Sequence, residues 1–256
     1  MPTFEATDGV EIYWDEWQGD SDLPPVLLHH GFIANGQTNW VLPGIVAALT
    51  ATGRRVIAID ARGHGRSGKP HDPAVYGETR MAQDVTTLLD LLKVEQVDVA
   101  GYSMGAIVAL IFATRDPRLR RLVIGGVGSS VVELGGVDTR VIPAEAFREA
   151  FHTDDPSTIR HFAAAGFRAF VDAVGGDRTA LAAQAAAIHA SPIPLDTIAV
   201  PTLLVTGRDD VLATRPELLA KAIPNARLAV IDGDHLGAVR QPAFTEELIT
   251  FLNTRG

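Results

Sequence analysis

Cysteine is absent from this chain of 256 residues, which excludes disulfides, thiolate metal sites and a cysteine nucleophile together. Long apolar runs are missing as well. The longest, Ala106 to Ala113, falls far short of the roughly 20 residues that a membrane-spanning helix needs, so no membrane partner is expected. The opening residues, MPTFEATDGVEIYWDEW, lack a basic stretch followed by an apolar one. A secretory signal is therefore not expected, and the cytoplasm is the default compartment. Positive charge is in deficit, with 22 Lys and Arg against 31 Asp and Glu. The basic residues are scattered and the net charge is -9, a balance that repels phosphate backbones and argues against a nucleic-acid partner. No internal repeat or low-complexity tract stands out beyond alanine-rich helical stretches such as Ala182 to Ala187.

Apolar residues make up 46% of the chain, enough to bury a full core without metal or crosslinks. Their spacing alternates between two periods. Thr3 to Ala6 and Val10 to Trp17 read as an antiparallel pair around an Asp8-Gly9 turn. After Pro24-Pro25, Val26 to His29 reads as a strand, followed by a Gly-containing loop and an amphipathic helix from Thr38 to Thr52, closed by Gly53. Arg55 to Asp60 is β-rich, Thr79 to Lys93 has helical spacing, and the apolar strand Val97 to Gly101 leads directly into a helix over Met104 to Thr114. Leu122 to Val127 is a further strand. Two more strand-helix units close the chain: Thr202 to Thr206 with Pro216 to Ile223, then Arg227 to Asp232 with Pro242 to Leu252. Such alternation specifies an α/β fold, a mostly parallel sheet covered by helices on both faces.

Between residues 130 and 198 the rhythm becomes helix after helix: Pro143 to His152, Pro156 to Val174 and Asp177 to Ala190. Five of the ten phenylalanines fall here, namely Phe147, Phe151, Phe162, Phe167 and Phe170. The pattern reads as an inserted helical cap with an apolar underside, set into a core formed by residues 1–129 and 199–256.

The chemistry starts from Gly101-Tyr102-Ser103-Met104-Gly105. G-x-S-x-G is weak alone, but here it sits between a strand and a helix, where a serine is held on a sharp turn with its hydroxyl exposed. Glycines at 101 and 105 let neighbouring backbone pass close to that turn. A serine hydroxyl needs a base to become nucleophilic. Of the eight histidines, His235 is the candidate, because it follows the last core strand and so sits at the same sheet edge as Ser103. His29 and His30 end the third strand, His64 lies between glycines, His71 is in a Pro-rich loop, and His152, His161 and His189 belong to the inserted helices. The imidazole needs an acid to orient it, and Asp209 and Asp210 both follow the strand Thr202 to Thr206. Oxyanion stabilisation calls for two backbone amides, one after the nucleophile and one in the loop after the third strand. These are Met104 and Phe32, with Gly31 expected to permit the bend that turns the Phe32 amide inward and the Phe32 ring walling the acyl pocket. A near-match to a phosphate-binding loop, Gly63 to Lys69, ends in Pro70 instead of Ser or Thr, and reads as a tight turn.

Taken together, Asp60-Ala61-Arg62-Gly63-His64-Gly65-Arg66-Ser67, His30-Gly31-Phe32, the Gly-Tyr-Ser-Met-Gly turn, Gly207-Arg208-Asp209-Asp210 and Gly233-Asp234-His235 resemble the α/β-hydrolase superfamily. The likeness spans nearly all of the chain outside the insertion, and is nearest to small bacterial esterases, enol-lactone hydrolases and cofactor-free perhydrolases. It departs from many relatives at Ala106, where they carry a second glycine. The resemblance implies that the acid stands three residues past the glycine, which favours Asp210 over Asp209, and that the order Ser103, Asp210, His235 is that of a catalytic triad. It implies a serine hydrolase acting on a small, partly apolar carboxylic ester through an acyl-enzyme, with no metal and no organic cofactor. Lactone hydrolysis, carbon-carbon bond hydrolysis and perhydrolysis use the same triad. The rival of another class is a ligand-binding signalling protein on the same fold.

Overall fold

The computed structural model describes residues 2–254. Met1, Arg255 and Gly256, at the outer ends of the expected core segments, lie outside the described residues. Strands β1 (Thr3–Glu5) and β2 (Glu11–Trp17) pair antiparallel, with Phe4 opposite Ile12. The turn between them is completed by Gly9 at φ 83°, a left-handed conformation that glycine adopts without penalty. β3 (Val26–His29) and β4 (Val56–Ile59) run parallel to each other, and β2 closes antiparallel onto β4.

The helix expected over Thr38 to Thr52 is divided in two. A wide turn, Gln37–Val41, in which the Leu42 N–H donates to the Gln37 carbonyl, precedes α1 (Ile45–Thr50). Pro43 brings no amide hydrogen to a continuous helix, and Gly44 turns left-handed at φ 85°.

The remaining core follows the anticipated order: α2 (Glu78–Leu91), β5 (Val97–Tyr102), α3 (Met104–Ala113) and β6 (Leu119–Gly125). Then comes a segment without strands. A short α4 (Ser130–Leu134), unanticipated and ended by Gly135 at φ 80°, opens it. α5 (Ala144–His152), α6 (Phe162–Val174) and α7 (Arg178–Ala186) follow. α6 starts later than the spacing predicts, because Pro156–Thr158 form a separate turn and His161 Nδ1 caps the helix by accepting the Ala164 N–H. The chain returns to the sheet with β7 (Thr202–Gly207), α8 (Pro216–Ala222), β8 (Ala226–Ile231) and α9 (Pro242–Asn253).

The eight strands form one sheet in the order β1-β2-β4-β3-β5-β6-β7-β8, parallel from β4 to β8. Every residue of β3, β4 and β5 is buried, as expected for central strands covered on both faces. Val85, Leu88, Ile107, Ile111 and Leu219 pack one face from α2, α3 and α8. Ile45, Leu49, Phe244 and Leu248 pack the other from α1 and α9. A third apolar cluster joins Phe147, Phe151, Val171 and Leu181 of the strandless segment to Ile33 in the loop after β3. Among the described residues no helix is long and apolar enough to cross a membrane.

The strand-to-helix turn after β5 is packed backbone to backbone. A Cβ on Gly101 would lie 2.1 Å from the Gly105 carbonyl oxygen, and one on Gly105 would lie 2.1 Å from the His29 carbonyl oxygen. The neighbours are backbone, which cannot rotate away. Gly105→Ala is therefore expected to push α3 off β3 and cost on the order of 1 to 3 kcal/mol. Ala106→Gly, one residue on in the same helix, should cost only about 0.5 to 1 kcal/mol. Urea unfolding midpoints of the two variants test that ranking.

Candidate active site

Ser103 occupies the turn between β5 and α3 at φ 54° and ψ -116°, a conformation that L-residues seldom adopt. The turn is pinned at its start by the Ser103 N–H, which donates to the Gly125 carbonyl on β6 at 2.8 Å. Held this way, the Ser103 hydroxyl points out of the sheet edge instead of capping the helix, with no side-chain bond to α3.

The structure brings three of the anticipated side chains together from distant points of the chain. The Ser103 hydroxyl donates to His235 Nε2 at 2.9 Å, and the His235 Nδ1 N–H donates to both Asp210 oxygens at 2.9 and 3.0 Å. Asp210 Oδ1 also accepts the Leu212 N–H at 2.9 Å, which fixes the carboxylate plane. Asp210 is buried in the turn after β7, whereas Asp209 is exposed beside it and makes no side-chain bond. His235 sits beyond β8 on a loop bent at Gly233, φ 118°, and closed by the Asp234 carboxylate, which accepts the Leu236 and Gly237 N–H groups.

Two positions that the sequence reading passed over steady this arrangement. The Tyr102 hydroxyl donates to the His235 carbonyl at 2.7 Å, and its ring packs against the imidazole at 5.6 Å between centroids. Burial raises the Tyr102 phenol above its ordinary value, so it remains a donor. Asn39, from the wide turn after β3, accepts the Gly31 N–H at 3.0 Å and so holds the loop that carries Phe32. Tyr102 stands in a variable place of the five-residue pattern and Asn39 in a plain loop, so neither carried a readable signal.

The Phe32 and Met104 amides have no hydrogen-bond acceptor among the described residues, which leaves both donors free at the mouth of the site. The expected part played by Gly31 needs correction. Its φ is not left-handed; what glycine provides is room, since a Cβ there would sit 3.3 Å from both Ser103 Cβ and the Tyr102 carbonyl oxygen and press each by a few tenths of an ångström. Close approach, not backbone bend, is the constraint.

The histidines near the loop after β3 are structural. Burial pushes His29 and His64 down to about 3 and His30 down to about 4, so all three stay neutral. His30 donates from Nδ1 to the Gly31 carbonyl and accepts the Ala61 N–H on Nε2, bridging two loops. His71 pairs with Asp177 at the surface, and His152 bonds back to the Arg148 carbonyl. The Gly63 to Lys69 stretch is a tight turn: the Gly63 N–H donates to the Gly68 carbonyl, and Asp60 accepts the Gly36 and Arg66 N–H groups. Among the described residues no group of three or more His, Asp or Glu is gathered as a metal site.

Ser103 lies between two hollows. One is lined by Phe32, Met104, Val137, Ile142, Phe147 and Phe167, with Glu78, Asp138 and Gln184 as its polar members. The other contains His235, Thr38, Asn39, Tyr102 and Arg240. Phe32 stands between them, edge-on to Phe147 at 5.4 Å.

Residues 24–169 match the family model described as alpha/beta hydrolase fold. A 2-hydroxymuconate semialdehyde hydrolase from Pseudomonas is 32% identical, over 73% of this chain and 70% of that protein. A non-heme haloperoxidase from Rhodococcus erythropolis is 28% identical, over 99% of this chain and 100% of its own. Among solved structures, the enol-lactonase from Burkholderia xenovorans superposes with a TM-score of 0.77 at 26% identity, covering 99% of this chain and 100% of that one. The matched model spans more than half of the chain and the mostly parallel sheet with helices on both faces is consistent with it, so this protein is a hydrolase of the α/β-hydrolase fold family.

Proposed function

We propose that the chain is a serine esterase that cleaves a small, partly apolar carboxylic ester through an acyl-enzyme. The observation that carries this reading is the unbroken hydrogen-bond line from the Ser103 hydroxyl through His235 to Asp210. Because Nδ1 keeps its proton and donates it as a hydrogen bond to the carboxylate, Nε2 presents a lone pair to the hydroxyl and can take its proton as the oxygen attacks the ester carbon. The resulting imidazolium is stabilised by Asp210. Charge that develops on the carbonyl oxygen is met by the free Phe32 and Met104 amides.

His235 next hands the proton to the departing alkoxide, so the alcohol half of the substrate lies on its side of the serine. The hollow containing His235, Thr38 and Arg240 is thus the leaving-group side, and the one lined by Met104, Val137, Ile142 and Phe147 takes the acyl group. Water then enters on the His235 side, is deprotonated by the same nitrogen and releases the acid. No metal or cofactor is called for in this sequence of steps. The helical segment 130–198 acts as a cap, since Ile142, Phe147 and Phe167 close the acyl hollow from above.

A second reading keeps the same residues and changes the electrophile. Similarity to an enol-lactonase and to a semialdehyde hydrolase favours cyclic esters or activated carbon-carbon bonds as further substrates.

Three measurements test these assignments. A fluorophosphonate probe is expected to label the intact protein and to leave Ser103→Ala unlabelled; labelling that persists in the variant removes Ser103 as the nucleophile. Asp210→Asn should lower kcat for p-nitrophenyl esters by roughly 10³- to 10⁴-fold by upsetting the imidazole tautomer, while Asp209→Asn changes it little, and the opposite ranking would move the acid. A panel of p-nitrophenyl esters of increasing acyl length, run beside simple lactones, should show a preference for the shorter chains.

A further inference from the structure

The acyl hollow contains two polar groups that the acyl-transfer steps leave unused. Glu78, in the first turn of α2, is only 1% exposed, yet it lines the same cavity as Ser103. Its carboxyl accepts the His189 N–H at 2.8 Å and lies against its own amide, but among the described residues it has no cation and no side-chain partner. A carboxyl offers about four acceptor positions, so part of its capacity faces the cavity unspent. Desolvation pushes it up to about 7, as befits a group in dry surroundings with no counter-charge. The cavity's other carboxylate is not in this state: Asp138 is held by Arg140, through Nε at 2.8 Å and Nη2 at 2.7 Å.

Gln184, on α7, is also 1% exposed and lines the same wall. Its carbonyl oxygen accepts the Gly77 N–H at 3.2 Å, which fixes which end of the amide is which. The amide nitrogen is left with only the Met104 sulfur at 3.8 Å, a weak acceptor. One side chain therefore offers a spare acceptor and the other a spare donor in the same mostly apolar cavity, where Asp138 is already taken up by Arg140.

We infer that Glu78 and Gln184 form a specificity subsite for a hydroxyl carried on the acyl chain, which makes esters of hydroxy acids the preferred substrates. The inference rests on the reading of Ser103 as nucleophile and of this hollow as the acyl side. A hydroxyl donates once and accepts as well, matching Glu78 and Gln184 together. An ammonium has nothing with which to accept the Gln184 N–H and costs far more to desolvate. A plain methylene leaves both buried groups without a partner, the situation by which sites built around a substrate hydroxyl reject its deoxy analogue.

The test compares p-nitrophenyl hexanoate with its 3-hydroxy, 6-hydroxy and 6-amino derivatives. In the unaltered protein, kcat/KM for one hydroxy ester should exceed that for the plain ester by about 10- to 100-fold. Glu78→Met removes the acceptor and Gln184→Met the donor, each at similar length. Each should collapse the ratio toward one. A purely structural role would lower both esters together and leave the ratio intact. Calorimetric titration of the same esters, in non-hydrolysable ether form, into Ser103→Ala separates the two ideas. Tighter binding of a hydroxylated ligand without any turnover of the esters by the unaltered protein sinks the nucleophile reading and keeps the subsite. Turnover with no hydroxyl preference, a preference for the amine, or a preference that survives in both variants overturns the subsite.

Discussion

Everything at the site hangs on the turn at Ser103, where the backbone is forced to a positive φ and held there from both sides. Such a residue costs on the order of 1 to 3 kcal/mol, which surrounding structure has to offset. Here the offset is visible. The Ser103 N–H is tied to β6, α3 behind it is apolar through every turn, and Gly101 and Gly105 let the backbones of β5, α3 and β3 close to distances that exclude any side chain. Relaxing the turn would require α3 to leave the sheet. The strain consequently delivers a hydroxyl fixed at the sheet edge and, one residue later, a Met104 amide free of the helix ladder.

Around that turn the protein builds a dry, mostly neutral frame with its charge confined to one line. His29, His30 and His64 are kept uncharged by burial and serve as hydrogen-bonding struts between the loops after β3 and β4. Tyr102 is likewise kept protonated and grips the His235 backbone. Only Asp210 places a carboxylate against the imidazole. In a medium of low dielectric such an arrangement keeps the hydrogen-bond line from Ser103 through His235 to Asp210 short and oriented.

The strandless segment between β6 and β7 adds what the sheet cannot. Its Phe147 and Phe167 wall one side of Ser103, and Gln184 reaches from α7 to both Gly77 and Met104. That contact couples the inserted helices to the elbow itself. It also brings Glu78, a core residue, into the same cavity, so that the lining beside Ser103 draws on the insertion and the core jointly.

The strands, most helix positions and the order Ser103, Asp210, His235 were legible in the chain, because sheet burial writes period-two and continuous apolar runs into the sequence and sharp turns demand glycine locally. The break at Pro43-Gly44 was legible too in principle, but the amphipathic spacing on either side masked it. Between Asp210 and Asp209 the resemblance favoured Asp210 by its place three residues past Gly207, and the fold shows the physical difference, burying Asp210 against His235 and leaving Asp209 exposed. Tyr102, Asn39, Glu78 and Gln184 left no mark in the sequence, because each acts through a contact with a residue far along the chain. By itself, then, the sequence determined the sheet, the elbow and the place of Ser103 on it, all of which follow from short-range sterics and hydrophobic periodicity. Tertiary structure alone decided how closely Gly31 is packed against Ser103 and which polar groups line the cavity beside it, because those depend on distances between segments that only folding brings together.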